Sequence, residues 1–172
     1  MSTLTCTKTV HEHDDSCTRI GEMKTSVANF LEGYKNSAKT VDGKTDKRFV
    51  ALVKFSSNAD LLKVNGQRWT DVANGYGSVT AVVNNLEASG ATNIDGGLRV
   101  AYNLIADEVS KGKNSVLSGI NDIHVILLTD GKPTYYTTNT SETNPEATLT
   151  GDKNDGGTAN FKDYHNAENA AK

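Results

Sequence analysis

The sequence is poor in cysteine, proline and tryptophan, and it carries little net charge. Its 172 residues include two cysteines, two prolines and one tryptophan, and the formal net charge is only −3. Such a small charge provides no electrostatic reason for binding nucleic acid or an anionic membrane. Apolar runs stay far below the roughly 20 residues that a membrane-spanning helix needs, so membrane insertion is not expected.

The amino-terminal residues 1–6 also lack the basic and apolar regions of a signal peptide. This absence predicts either a cytosolic protein or a piece of a longer secreted chain. Apolar residues make up 36% of the chain and charged residues 23%, a composition typical of a soluble globular protein. A chain of this length fits one domain with a sizeable core.

Residues 1–18 form an atypical segment that carries four potential soft-metal ligands, namely Cys6, His11, His13 and Cys17. Two thiolates and two imidazoles satisfy tetrahedral zinc. Both histidines lie between the cysteines, however, and the usual pair of cysteines two residues apart is missing. Zinc binding, a Cys6–Cys17 disulfide in an extracellular protein and no site at all therefore stay open as three readings.

Beyond residue 18 the hydrophobic spacing predicts alternating helices and strands. Apolar residues three and four apart predict a helix over residues 20–34, and residues 48–57 and 59–64 predict a hairpin. Further helical patterns cover residues 79–86 and 94–109. Five residues of the last helix are expected to face the core: Leu98, Ala101, Tyr102, Ile105 and Val109. Another amphipathic helix begins in residues 161–172.

The most apolar run covers residues 123–128 and stops at Thr129-Asp130-Gly131. Its length and composition predict a strand that is buried on both faces, as in a parallel sheet. Asp130 would then lie at the carboxyl end of the strand, where open α/β sheets bind their ligands. The order of elements predicts an α/β fold with a mixed or parallel sheet.

Two motifs in this order carry a family resemblance. The stretch of residues 90–98 contains Thr92, and residues 125–134 contain Asp130 within Leu-Thr-Asp-Gly-Lys-Pro-Thr. Together they resemble a von Willebrand factor type A (VWA) domain, in the version found in surface adhesins and pilus-tip proteins of Gram-positive bacteria. The resemblance implies a Rossmann-like open, mostly parallel sheet flanked by helices. It also implies that residues 19–172 form a partial domain, incomplete at the carboxyl end.

The family resemblance implies a metal-ion-dependent adhesion site (MIDAS) assembled from three loops. Asp14, Ser16 and Thr18 would form the first loop, Thr92 the second and Asp130 the third. Such a site suits Mg²⁺, or Mn²⁺ or Ca²⁺ in its place, because these hard cations prefer oxygen ligands. The first loop departs from the family pattern, since the strand before it is polar. In a rival account a cysteine-histidine element replaces the first strand and loop.

Thr92 and Asp95 also have simpler interpretations. Thr92 or Asn93 is expected to cap the helix over residues 94–109, and Asp95 to complement its dipole. Capping and metal binding are compatible roles for a threonine.

The resemblance implies a metal-dependent adhesion module whose cation captures an acidic residue of a partner, such as a host or extracellular-matrix protein. It implies an extracellular or cell-surface location. The alternative is a structural scaffold with an incomplete site and a zinc- or disulfide-stapled amino-terminal segment. No nucleophile and base are paired in the sequence pattern, so an enzyme is not expected.

Overall fold

The structure is a computed structural model that describes residues 18–120, 122–129 and 131–153. These residues divide into two compact units. Residues 18–50 and 64–88 form the first, called here the two-helix unit, and the described residues of 51–63 and 89–153 form the second, called the hairpin unit. The predicted boundary between residues 18 and 19 stays a prediction, because residues 1–17 lie outside the described ranges.

The two-helix unit is built on helices α1 (Arg19–Asn36) and α2 (Val72–Asn84), which pack against each other. Each begins at a side-chain cap that satisfies a free backbone N–H of the first turn. The Thr18 hydroxyl accepts from the Gly21 N–H at 3.1 Å, and the Asp71 carboxylate accepts from the Ala73 N–H at 3.1 Å. Four apolar side chains of the two helices are buried: Leu31, Val72, Val79 and Val83.

Short antiparallel strands complete the two-helix unit. Strands β1 (Thr40–Val41) and β2 (Lys44–Thr45) pair across an Asp42-Gly43 turn in which both residues have positive φ, as two-residue hairpin turns require. Strand β3 (Phe49–Val50) pairs with β6 (Thr70–Asp71), so the predicted strand over residues 48–57 is split between two partners.

The hairpin unit places helix α3 (Ile94–Ser110) against the hairpin of β4 (Leu52–Phe55) and β5 (Ala59–Leu62). A second pair, β7 (Tyr135–Thr137) with β8 (Gly151–Lys153), also contacts α3 through β7. The two pairs are joined because Ala59 and Leu149 exchange backbone hydrogen bonds at 2.9 Å. The core contains Ala59, Val100 and Leu149, with Val53, Phe55 and Leu61 packed against it.

The predicted fold class is wrong for the described residues. They form four two-stranded antiparallel sheets, and none of them belongs to an open, mostly parallel, Rossmann-like sheet. The predicted helix over residues 20–34 is confirmed. The hairpin predicted over residues 48–57 and 59–64 is confirmed over the narrower range of residues 52–62. The helix predicted over residues 79–86 is confirmed in kind but begins earlier, at Val72. The local patterns were sufficient for single elements, whereas parallel pairing depends on contacts between distant segments.

Helix α3 buries a different face from the one expected. Leu98, Ala101 and Ile105 are only partly buried, and Tyr102 and Val109 are 68% and 67% exposed. The buried apolar face instead contains Ile94, Gly97, Val100 and Leu104. A Cβ on Gly97 would lie 2.8 Å from the Phe55 ring, so the absence of a side chain lets the helix approach the hairpin closely on this face.

The apolar run of residues 123–128 also differs from its prediction. It forms no strand in the described part of the chain, and its five large apolar side chains are between 41% and 57% exposed. A buried strand needs neighbours that accept its backbone hydrogen bonds. The described residues offer this run no such neighbour.

None of the described helices combines the length and the apolar character needed to cross a membrane.

The close approach of β8 to the hairpin predicts that Gly151→Ala destabilises the protein. The new Cβ would overlap the Ser57 carbonyl oxygen and would lie 2.5 Å from Asn93 Nδ2. We expect the free energy of unfolding, measured by urea denaturation, to fall by about 1–3 kcal/mol. Gly33→Ala in α1 is the control, because no atom lies within 4 Å of its Cβ position. An alanine there should stabilise the helix by roughly 0.5–1 kcal/mol. Equal stability of Gly151→Ala and the unmodified protein would contradict this packing.

Candidate functional site

Three loops of the hairpin unit meet beside the start of α3. The Asn93 N–H donates to the Ser56 carbonyl at 2.8 Å, and the Ala91 N–H donates to Ser57 Oγ at 3.2 Å. These bonds join the turn after β4 to the loop before α3. The third loop, described over residues 131–134, joins the second through hydrogen bonds between Thr92 and Thr134.

Hydrogen bonds of its backbone N–H and carbonyl fix the position of Thr92, and its hydroxyl takes no part in them. Its N–H donates to Thr134 Oγ1 at 3.0 Å, and its carbonyl accepts from the N–H groups of Thr134 and Tyr135 at 3.0 and 3.3 Å. A Cβ on Gly131 would lie 2.8 Å from Thr92 Oγ1, so the two residues are in close contact. In the described part of the chain the Thr92 hydroxyl forms no hydrogen bond.

Four hydroxyl-bearing residues are therefore gathered in these loops, and we call them the hydroxyl cluster: Ser57, Thr92, Thr129 and Thr134. Thr129 Oγ1 bonds both the N–H and the carbonyl of Gly131 at 3.3 Å, which orders the turn next to Thr92. The hydroxyls of Ser57 and Thr134 each accept one backbone N–H. Each of these two oxygens keeps a second lone pair for another partner.

Asn93 lies next to the hydroxyl cluster and is completely buried. Its Oδ1 accepts from the Gly96 N–H at 2.9 Å and caps α3, while its Nδ2 donates to the Ser57 carbonyl at 3.3 Å. The Thr137 hydroxyl donates to the same Oδ1 at 3.4 Å. One side chain thus fixes the helix, the turn after β4 and strand β7 in a single arrangement.

Asp95 completes this buried support. It is 0% exposed, and its two carboxylate oxygens accept from Arg99 Nε at 2.7 Å and from the Thr137 N–H at 2.9 Å. A buried carboxylate requires such partners, since isolated burial of the charge is costly. The expectation of a first-turn acid is confirmed, and the carboxylate also binds β7 to the helix.

The chemistry that the described cluster supports is oxygen coordination and hydrogen bonding. Hydroxyl and carbonyl oxygens are ligands that Mg²⁺ and Ca²⁺ accept. Within the described ranges no group of three or more His, Cys, Asp or Glu side chains is arranged to hold a metal ion. The hydroxyl oxygens are of the donor type that a hard cation accepts, and a metal role for them stays a prediction.

The predicted site residues fall into two groups. Thr18 lies in the two-helix unit, where its hydroxyl caps α1, and Thr92 lies in the hairpin unit beside Gly131. The other predicted ligands lie outside the described residues: Asp14, Ser16 and Asp130 of the adhesion site, and Cys6, His11, His13 and Cys17 of the zinc or disulfide alternative.

Sequence reasoning missed Ser57, Thr134 and the buried partner Thr137. Their signal was weak, because serine and threonine are common in loops for reasons unconnected with a ligand. The only usable hint was position, since Ser57 follows a strand and Thr134 follows the Asp-Gly turn.

No family model, curated protein or solved structure matches this chain. The resemblance to VWA domains therefore rests on its two motifs alone.

A separate depression in the hairpin unit, of about 130 Å³, is lined by Glu108, Val109, Gly112, Ser115, Leu117, Ser118, Ile120 and Ile123. Glu108 is only 3% exposed, and its carboxylate accepts from Lys111 Nζ, Ser115 Oγ and the Val116 N–H. Burial raises the pKa of Glu108, but these hydrogen bonds outweigh it, so the pKa lies below its ordinary 4.5. With its oxygens engaged, this carboxylate organises the loop after α3.

The lowered pKa of Glu108 predicts a pH-dependent contribution to stability. In the unfolded chain the pKa returns to about 4.5, so the contribution is fully present above that pH. It is lost as the pH falls through the lower folded-state pKa. We expect Glu108→Gln to lower the free energy of unfolding by about 1–3 kcal/mol at neutral pH.

The measurement is urea unfolding of both proteins across a pH series from 7 downward. The deficit of Glu108→Gln should shrink as the pH falls below 4.5. Glu87→Gln, at an exposed position, is the control and should match the unmodified protein. A deficit that stays constant down to the lowest pH at which the protein folds would exclude this role.

Proposed function

We propose that this protein is a binding module in which a divalent cation captures an acidic residue of a partner protein. The cation, Mg²⁺ or in its place Mn²⁺ or Ca²⁺, would be held by the Thr92 hydroxyl with Asp130 as the nearby carboxylate. The supporting observation is the Thr92 hydroxyl, which is free of hydrogen bonds among the described residues and lies against Gly131. In the sequence Asp130 directly precedes Gly131.

The chemistry of the ion explains why hydroxyls are suitable ligands for this task. Mg²⁺ requires near-octahedral oxygen coordination and retains several waters. Neutral hydroxyl ligands leave most of the ionic charge uncompensated. The ion then still attracts a carboxylate from a partner, which replaces a water and completes the octahedron.

The overall charge of the chain makes the cation necessary for such a ligand. With a net charge of −3 the protein has no general attraction for an acidic partner. A bound divalent ion reverses the sign of the potential locally. Binding of an acidic residue should therefore depend on the ion rather than on basic side chains.

Binding, rather than catalysis, is the proposed role because of what the hydroxyl cluster contacts. Among the described residues its hydroxyls bond only backbone N–H and carbonyl groups. An activated nucleophile would need a neighbouring base. Neutral, loop-held oxygens are suited to holding an ion.

An extracellular or cell-surface location is part of the proposal. Extracellular Ca²⁺-binding modules have ion dissociation constants of roughly 10⁻⁴–10⁻³ M. A site with few direct carboxylate ligands has an affinity in this weak range. The partner would then be a surface or matrix protein that presents an exposed aspartate or glutamate.

The proposal predicts saturable Mg²⁺ and Mn²⁺ binding that depends on Thr92. Titration calorimetry with both ions, supported by Mn²⁺ paramagnetic resonance, measures the affinity. Thr92→Ala should weaken binding by about tenfold or more, because loss of a positioned ligand group typically costs at least that factor. Asp130→Ala should have an equal or larger effect.

Thr80→Ala is the matched control for this experiment. Thr80 is partly buried like Thr92, but its hydroxyl bonds the carbonyls of Tyr76 and Gly77 within α2. It should bind the ions like the unmodified protein. Absence of saturable binding to the unmodified protein, or identical affinities for Thr92→Ala and Thr80→Ala, would disprove the cation site.

A further inference from the structure

The segment from the end of α1 to the start of β3, residues 35–48, concentrates positive charge. It holds five basic and two acidic residues, whereas the whole chain has 18 basic and 21 acidic ones. The segment is therefore positive within a chain that is negative overall. We call its five basic residues the basic surface: Lys35, Lys39, Lys44, Lys47 and Arg48.

The fold gathers these charges at the carboxyl end of α1. The β1–β2 hairpin turns the chain back, and its base is closed where the Asp46 N–H donates to the Lys39 carbonyl at 2.9 Å. Arg48 then reaches α1, since its guanidinium donates to the Ser37 carbonyl at 3.1 Å. The same guanidinium lies 5.2 Å from the centre of the Tyr34 ring. The hairpin and the helix end thus carry their charges on one part of the two-helix unit.

Lys39 and Lys44 lie on the same face of the hairpin. Lys44 is paired with Val41, and side chains two residues apart along a strand point to the same side. Diagonal positions of this kind are about 7–8 Å apart, within the Debye length of about 8 Å at physiological ionic strength. The two ammonium groups therefore act together on a bound anion. Asp46 lies on this face as well, and it is paired with Arg48 at 3.7 Å.

Among the described residues, three lysines of the basic surface have no acidic partner. The ammonium groups of Lys39, Lys44 and Lys47 form no hydrogen bond or ion pair there, and all three residues are exposed. By contrast, the exposed Lys54 and Lys63 of the hairpin unit are each paired with a carboxylate. Charges of one sign that are held close together create a local potential that attracts the opposite charge. The basic surface therefore favours a ligand with several negative charges.

The tyrosine rings beside the basic surface are engaged by side chains of the same chain. The Tyr34 ring lies under the Arg48 guanidinium and stacks with Phe30 at 5.9 Å between the ring centres. Lys35 Nζ lies 5.3 Å from the centre of the Tyr76 ring. Proteins that bind single-stranded nucleic acid stack its bases on aromatic side chains. Because these tyrosines already have partners, a polyanion without bases fits this surface better than nucleic acid.

The composition of the segment also argues against a protein partner. Val41 is the only large apolar residue among residues 35–48, and the other uncharged residues are Asn, Ser, Thr, Ala and Gly. The strongest contacts of protein interfaces come from Trp, Tyr and Arg side chains in desolvated pockets. Lysines are compact, strongly hydrated charges. They suit a ligand whose anionic groups are themselves exposed to water.

We propose that the basic surface binds a sulfated polysaccharide of the heparin class. Its sulfate groups are ionised at every physiological pH, and they repeat along the polymer, so one ligand reaches several lysines at once. Binding that neutralises these charges releases counterions, and the affinity should therefore fall steeply as the salt concentration rises. The interaction needs no metal ion. It uses the two-helix unit, whereas the hydroxyl cluster belongs to the hairpin unit.

Fluorescence anisotropy of a labelled heparin oligosaccharide, titrated with the protein in EDTA, tests this inference. The chelator removes divalent ions, so the result does not depend on the proposed cation site. We expect saturable binding that weakens as NaCl is added. The double variant Lys39→Gln/Lys44→Gln should raise the dissociation constant by about tenfold or more, because each lysine near an anionic surface contributes roughly a factor of five.

Lys54→Gln/Lys63→Gln is the matched control, because it removes the same number of positive charges from exposed positions. Lys54 is paired with Asp60 at 3.5 Å and Lys63 with Glu146 at 2.7 Å. This double variant should bind the oligosaccharide like the unmodified protein. All four lysines are exposed, so both variants should fold normally, as circular dichroism verifies.

Any one of three results would overturn the inference. The first is the absence of saturable heparin binding at low ionic strength. The second is an equal dissociation constant for the two double variants. The third is single-stranded DNA of equal charge that binds as tightly as the heparin oligosaccharide, which would show a general attraction for polyanions.

Discussion

The hairpin unit depends on one buried polar network at the start of α3. Asn93 and Asp95 are both inaccessible to solvent, and between them they bind the helix, the turn after β4 and strand β7. Each is stable only while its partners are in place, since unpaired buried polar groups are costly. The network therefore holds Thr92, which directly precedes it, in one position. The hydroxyl cluster is a consequence of this constraint.

Close backbone approach is the second constraint, and it acts through glycine. Gly97 faces the Phe55 ring and Gly151 faces the Ser57 carbonyl, so neither position has room for a side chain. Because of this approach, α3 buries its glycine-containing face and leaves Tyr102 and Val109 at the surface. When a helix has apolar residues on two faces, the face whose shape is complementary to the neighbouring elements is the one that becomes buried.

The segment from residue 123 to residue 134 combines two features with different physical origins. Its first half is an unpaired apolar run, and its second half is a turn tied to Thr92 by backbone hydrogen bonds. The turn is ordered from within the unit, whereas the run lacks a neighbour among the described residues.

Local sequence patterns determined much of the secondary structure. Helix α1, the β4–β5 hairpin and the Asn93 cap of α3 all follow from spacing, turn and capping residues that act within a few positions. Thr92 was also singled out from its motif, and it lies close to Gly131. Its role as a metal ligand stays a prediction.

Only the tertiary structure decided which faces and edges find partners. The apolar run of residues 123–128 has the composition of a buried strand, but burial requires neighbouring strands, and composition does not provide them. The full burial of Asp95, the contact of Ser57 with Ala91 and the contact of Thr92 with Thr134 depend on residues more than thirty positions apart in the sequence. The sequence alone determined the local elements because their interactions are local. The packing was decided by the fold, because it depends on shape and hydrogen-bond partners supplied by distant segments.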